Sequence, residues 1–168
     1  MKTRTGKIII TSMLAALVCV ATMIIKIPSP LKGYINLGDC VVLLCGWVLS
    51  PAYAFFAAGI GSMLADVFSG YILYAPATFV IKGLMAIFAC FGYKFLIKNL
   101  KENLSRILSG LGAEVIMAVG YFLFEGVLYG FVPSLVNIPA NIVQGVAGLV
   151  LGVILIKIFK KNNILNVD

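Results

Sequence analysis

Apolar residues in this 168-residue chain come in long uncharged runs, not in the alternating or every-third patterns of a soluble fold. The hydrocarbon core of a bilayer, about 30 Å thick, takes about 20 apolar residues per helix, and the runs have that scale. The first covers residues 8–25, behind Lys2, Arg4 and Lys7. Its basic start resembles a signal peptide. No small-x-small cleavage site with a polar mature chain follows, so it is expected to stay as a span. Residues 40–65 carry no charge, and Ser50-Pro51 interrupts them. Proline is at home in a first helical turn, and serine before it is a good N-cap. The run therefore divides into two short helices, 39–49 and 51–68. Three more spans follow at 77–97, 107–129 and 138–159, with a loop at 130–137 around Pro133. Reading 40–68 as one tilted helix would give five spans instead of six.

Charge chooses between the two counts. Lysine and arginine near span ends gather on the cytoplasmic side. Six spans put Lys2, Arg4, Lys7, Lys94, Lys98, Lys101, Arg106, Lys157, Lys160 and Lys161 on one side, which is ten of the 13 basic residues. Lys26 and Lys32 fall outside, and Lys82 lies within a span. Five spans would turn the cluster from Lys94 to Arg106 outward. The expected fold is an all-α integral membrane protein with six transmembrane helices. It forms a single domain over residues 1–168, with N- and C-termini cytoplasmic. Composition agrees: 11% of residues are charged, against about 25% in a soluble domain. The net charge of +7 sits in short loops flanking helices, which speaks against a nucleic-acid partner.

The same scarcity excludes chemistries. There is no histidine, so H-E-x-x-H zinc hydrolases, haem-binding bundles and histidine-dependent intramembrane proteases are out. No phosphate loop is present, so the chain does not hydrolyse ATP by itself. Cys19, Cys40, Cys45 and Cys90 form no C-x-x-C pair and read as small hydrophobes. Intramembrane aspartyl proteases need Gly-x-Gly-Asp, whereas residues 36–39 read Asn-Leu-Gly-Asp and no Tyr-Asp partner exists. No catalytic residue, metal or cofactor is expected, and the chain is not read as an enzyme.

The exceptions to apolarity are few and grouped. Glu102 and Asp168 lie in cytoplasmic segments; Asp39, Asp66, Glu114, Glu125 and Lys82 lie in or at the edge of spans. A charge there is costly, about 2.5–3.5 kcal/mol on insertion scales, and normally faces a partner or a water-filled cavity. The direction of each span gives depths. Asp39 starts its helix at the outer end, Asp66 ends one near the outer end, and Lys82 is about one and a half turns below the outer face. Glu125 is in the outer third, and Asn141 and Gln144 are in the first two turns of the sixth span; Glu114 is nearer mid-depth. Spacing adds faces. Glu114, Ala118, Tyr121, Glu125 and Tyr129 share one stripe, and Asn137, Asn141, Gln144 and Gly148 share another. Thr78 and Lys82 are one turn apart. These groups predict an outer pocket for a small polar ring compound, with Tyr71 and Tyr74 in the following outer loop able to close it. Tyr71 and Tyr129 also fit an ordinary aromatic belt. Asp66 and Lys82 also fit an ion pair between spans three and four, and Glu114 either pairs with Lys82 or is protonated. The segment 27–38, with two prolines and two glycines, cannot be a continuous helix and is suited to a lid.

Small residues supply a second signal, since they let helices approach closely in lipid. Ser12, Ala15, Ala16 and Cys19 form a smooth face in the cytoplasmic half of the first span. That face suits docking against another protein's helix, or ordinary packing within the chain.

Three stretches resemble a known family. They are Gly33-Tyr34-Ile35-Asn36-Leu37-Gly38-Asp39, the run from Gly59 to Tyr71 with Ala65-Asp66 in it, and the run from Tyr74 to Leu84 with Thr78 and Lys82. Asn141-Ile142-Val143-Gln144-Gly145 adds to them. The chain resembles the substrate-binding S components of energy-coupling factor (ECF) vitamin transporters over essentially its whole length. The resemblance implies capture of a vitamin from outside a bacterial plasma membrane and association with a transmembrane coupling protein and two ATPase subunits. It also implies toppling of the S component in the membrane to release its cargo inside. Together with the stripes and depths above, it gives an expected substrate site of Asn36, Asp39, Tyr71, Tyr74, Thr78, Lys82, Glu114, Tyr121, Glu125, Asn141 and Gln144. The family's alanine-x-x-x-alanine docking surface has Ser12 and Ala16, or Ala15 and Cys19, in the matching place. The implied cargo is a pyridoxine-like compound, riboflavin or a hydroxymethylpyrimidine. The competing expectation is a small ion-coupled secondary transporter or channel, with the buried carboxylates as a proton relay, although no inverted repeat is visible.

Overall fold

Most helix boundaries have a local cause. In the computed structural model, which describes residues 3–29 and 33–162, Thr3 has extended backbone and its hydroxyl accepts the Gly6 N–H at 3.2 Å, starting α1 (Arg4–Ile24). Lys2, Lys32 and Asp168, used in the charge reading above, lie outside the described residues, as do residues 30 and 31 of the expected lid. Ser50 holds extended backbone at the start of α3 (Pro51–Phe68), with Pro51 in the first turn. Its side chain makes no capping bond, so proline rather than serine defines this start. The division of the long uncharged run is as expected, with α2 at Asp39–Val48. Next come α4 (Ala75–Leu96) and α5 (Glu102–Tyr129). Gly130, at φ +93°, then turns the chain where a side chain would be strained.

Two segments expected to be irregular are ordered. The descending chain after α1 is an antiparallel hairpin of β1 (Lys26–Pro28) and β2 (Tyr34–Asn36), with Lys26 opposite Asn36. The loop at 130–137 is a helical turn, α6 (Phe131–Ser134), and a 3₁₀ turn (Leu135–Asn137), running directly into α7 (Ile138–Lys161). Pro133 is tolerated because it lies in the first turn, where its missing N–H has no intrahelical partner to lose. The Ser134 hydroxyl donates back to the Gly130 carbonyl at 2.8 Å. α5 also begins five residues earlier than the apolar run suggested. Arg106, counted above as a loop charge, is therefore helical and buried. It pairs with Glu102 at 2.6 Å and lies 5.2 Å from the ring centre of Tyr93.

Among the described residues, five helices are long and apolar enough to cross a membrane. The sixth, α2, has ten residues, about 15 Å at 1.5 Å each. All but Val48 are buried. A helix apolar all round belongs in the middle of a bundle. There α2 packs against α7, α4, α3 and α1, while α1, α3, α4, α5 and α7 carry the exposed apolar side chains that face lipid. Lys26 Nζ donates to Ser69 Oγ at 2.9 Å, joining the outer ends of α1 and α3. Lys160 pairs with Glu102, joining the opposite ends of α7 and α5. The second of these faces carries Lys94, Lys98, Lys101 and Lys161 and is cytoplasmic by the distribution of basic residues. Close approach depends on small residues. A Cβ added to Gly61 on α3 would stand 2.4 Å from the Ala15 carbonyl oxygen of α1.

Candidate functional site

The short α2 sets the depth of everything above it. Asp39 is expected at the outer membrane face, but the hairpin and residues 37–38 descend first. A Cβ on Gly148 of α7 would stand 2.7 Å from the Asp39 Cβ. Gly148 lies about three turns into α7, and Lys82, the ion-pair partner of Asp39, about two turns into α4. Asp39 is thus near mid-depth and fully buried. The outer half of the bundle is left for a cavity.

That cavity lies under the hairpin and between α3, α4, α5 and α7. β2 contributes Tyr34 and Asn36; α3 and the outer loop after it contribute Asp66, Tyr71 and Tyr74. Thr78 comes from α4, Tyr121 and Glu125 from α5, and Asn137, Asn141 and Gln144 from the 3₁₀ turn and α7. Eight of the eleven expected substrate residues therefore share one cavity: Asn36, Tyr71, Tyr74, Thr78, Tyr121, Glu125, Asn141 and Gln144. The stripe periodicities on α5 and α7 account for much of that convergence, since residues three and four apart share a helix face.

Asp39, Lys82 and Glu114 are not among the lining residues; they form a layer beneath. Lys82 pairs with Asp39 and not with Asp66, so the expected ion pair between α3 and α4 is replaced by one between α2 and α4. Gln144 joins this layer to the cavity floor. Its Nε2 donates to Asp39 Oδ2 at 2.7 Å, while its Oε1 accepts from the Asn36 backbone N–H at 2.9 Å and from Asn36 Nδ2 at 3.3 Å. Asn36 Oδ1 accepts from the Gly38 N–H at 2.9 Å. The floor is thereby satisfied within itself. Glu114 sits against Gly145 and Gly148, and neither of its oxygens has a hydrogen-bond partner among the described residues.

The roof is aromatic. Tyr34 donates to Asp66 Oδ1 at 2.6 Å, and its ring lies 4.7 Å from that of Tyr71, tilted by 50°. Burial, reinforced by the neighbouring Asp66 carboxylate, holds the Tyr34 hydroxyl above its ordinary range, so it stays a donor. On the α5 wall, Glu125 Oε1 accepts from Asn137 Nδ2 at 2.7 Å and from the Tyr74 hydroxyl at 3.4 Å. Thr78 and Tyr121 share a hydrogen bond of 3.1 Å between their hydroxyls. The free interior is about 40 Å³, enough for a few waters and too small for an aromatic ring. A ring needs a wider cavity than this one, and the hairpin forms its roof. Seven lining residues lie outside the expected site, among them Asp66, Tyr34 and Asn137. Tyr34 has no periodic signal because it lies in a non-helical segment, whereas Asn137 continues the α7 stripe by one step of four.

On the lipid side, Ser12, Ala15, Ala16 and Cys19 line an apolar groove between α1 and α3, together with Phe56 and Ile60. It shares no lining residue with the cavity.

Comparison with known proteins agrees with this architecture. Residues 2–161 match the family described as ECF-type riboflavin transporter, S component. An uncharacterised protein of Pyrococcus woesei is 38% identical over 138 residues, covering 80% of this chain and 88% of the relative. A thiamine precursor transporter, HmpT, of Lactococcus lactis is 25% identical over 140 residues, covering 83% and 78%. A solved S component of a bacterial ECF transporter superposes with a TM-score of 0.71 at 22% identity, covering 95% of this chain and 98% of that one. The last of these shares the fold. A six-helix membrane protein with an outer polar cavity, matched along nearly its whole length, belongs to the family of ECF-type riboflavin transporter S components.

Proposed function

We propose that the chain is the substrate-capture subunit of an ECF-type importer. It binds an uncharged heteroaromatic vitamin or vitamin precursor at the outer face and passes it inward with a coupling protein and two ATPase subunits. The observation that carries this reading is the cavity. It has an aromatic roof on a hairpin, walls of hydroxyls, amides and a carboxylate on three helices, and a sealed floor at mid-depth. Flat rings stack on tyrosine, and the wall groups orient their polar edges. Pyridoxine-like compounds, riboflavin and hydroxymethylpyrimidines all have that form. The names of the matched family and of the Lactococcus lactis relative support the last two.

The binding residues in this reading are Asn36, Tyr71, Tyr74, Thr78, Tyr121, Glu125, Asn141 and Gln144. Asp39, Lys82 and Glu114 act from below by holding the floor. The groove at Ser12, Ala15, Ala16 and Cys19 is the docking face for the coupling protein. Its small side chains admit a second helix, much as Gly61 admits α1. The test is to identify by mass spectrometry the ligand that co-purifies with the solubilised protein, then to follow uptake of that compound into vesicles. Uptake is expected only when the coupling protein, ATPase subunits and ATP are present. Uptake by this chain alone, driven by a proton gradient, would contradict the proposal.

A further inference from the structure

The unused hydrogen-bonding capacity of the cavity wall is one-sided. Glu125 is 3% exposed and Asn137 2%. A carboxylate only accepts, so the bond of 2.7 Å between them fixes the amide with its Nδ2 toward Glu125 Oε1. The Tyr74 hydroxyl donates to that same oxygen. Both protein donors therefore converge on Oε1. Glu125 Oε2 and Asn137 Oδ1 are left without a partner among the described residues. An unmet buried acceptor costs about 1–3 kcal/mol, and here two belong to residues that are themselves joined by a hydrogen bond on the cavity wall. No basic side chain lines the cavity among the described residues, and Lys82 is held by Asp39 in the layer below. Water can meet these acceptors in the empty site, and a ligand that displaces it must bring the donors itself.

We infer that Glu125 and Asn137 form a two-acceptor subsite for an exocyclic primary amine on an uncharged heteroaromatic ring. One N–H goes to Glu125 Oε2 and the other to Asn137 Oδ1. A primary amine is the smallest ring substituent that brings two donors on one atom. A hydroxyl brings one proton for two acceptors, and an oxo group brings a further acceptor, with at most one donor from the ring N–H of its lactam form. Specificity between an amino ring and its oxo counterpart is therefore set at this pair. The inference rests on the capture reading and narrows it to amino-bearing rings. A site built to hydrogen-bond a substrate N–H rejects the analogue lacking it far more strongly than an apolar site rejects a missing methylene.

The test titrates the full-length protein in nanodiscs with 4-amino-5-hydroxymethyl-2-methylpyrimidine and with its 4-oxo counterpart, a compound of nearly the same shape. The amino compound is expected to bind at least about tenfold more tightly, a difference of about 1.4 kcal/mol. In Glu125→Gln, Asn137 still donates to the amide oxygen, which turns the new NH₂ toward the ligand amine. That variant is expected to lose or invert the preference. Equal or tighter binding of the oxo compound overturns the inference on the wild-type protein alone, as does an amine preference that survives in a folded Glu125→Gln. Riboflavin and pyridoxine are titrated alongside. Binding of either one with no binding of the amino pyrimidine removes the amine subsite and leaves the capture reading standing. Binding of none removes both.

Discussion

Lys82 is 2% exposed, within a span, and paired with an Asp39 that is 0% exposed. Breaking a buried pair by removing one partner leaves the other charge uncompensated, at about 3–5 kcal/mol, whereas removing both charges is often nearly neutral. Lys82→Met should therefore lower the thermal stability of the detergent-solubilised protein strongly, and Asp39→Asn in the same chain should restore most of it. A merely peripheral pair would show no such rescue. Asn141 belongs to the wall rather than to the floor. Asn141→Ala should weaken ligand binding at least about tenfold, the loss of a well-made hydrogen bond to a desolvated group, with the melting temperature unchanged.

At this scale the sequence was partly legible. Glu125, Tyr121, Asn141 and Gln144 were found because helical period and span direction give both a face and a depth. The partner of Lys82 was not. Its identity depends on how far the chain descends before α2 begins, and a non-helical hairpin leaves no period to count. Asn137 was visible as a member of the α7 stripe. Its bond to Glu125 arises only because 130–137 coils into helical turns that aim it inward.

Among the elements, the hairpin has the decisive role, since the closed cavity is too small for a ring. Its latch is the Tyr34 hydroxyl on Asp66, backed by the Tyr71 ring. Removing that bond costs about 1 kcal/mol of closure, about a fivefold change in a rate. Tyr34→Phe should therefore speed ligand dissociation several-fold in a stopped-flow chase and leave the helical content untouched. An unchanged dissociation rate would mean that ligand leaves by another route. Prolines and glycines at 27–38 were sufficient to exclude a helix and suggest a lid. They were silent on strand pairing, which is set by the backbone bonds between β1 and β2. The opposite error occurred at Pro133, where proline suggested a loop and the chain made a first turn instead.

For the whole molecule, the legible features were the number of helices and their direction, both taken from charge placement. The uneven depth of the helices was hidden. A ten-residue α2 buried on all sides is what makes room for an outer cavity above it and a closed core below. The cavity and the groove between α1 and α3 share no lining residue, so under the proposed function ligand capture and partner association are separable. Ala16→Trp should abolish co-purification with the coupling protein and leave ligand binding intact; loss of both would place the two functions on one surface.

The most direct test of capture is equilibrium binding to the purified chain alone, in nanodiscs, with no ATPase subunit or nucleotide present. Riboflavin, pyridoxine and the hydroxymethylpyrimidine would be titrated in parallel on the wild-type and Asn141→Ala proteins. The structure predicts saturable one-to-one binding of one of these compounds, weakened in Asn141→Ala. Absence of binding by all three, or binding that Asn141→Ala leaves unchanged, would contradict a capture site in this cavity.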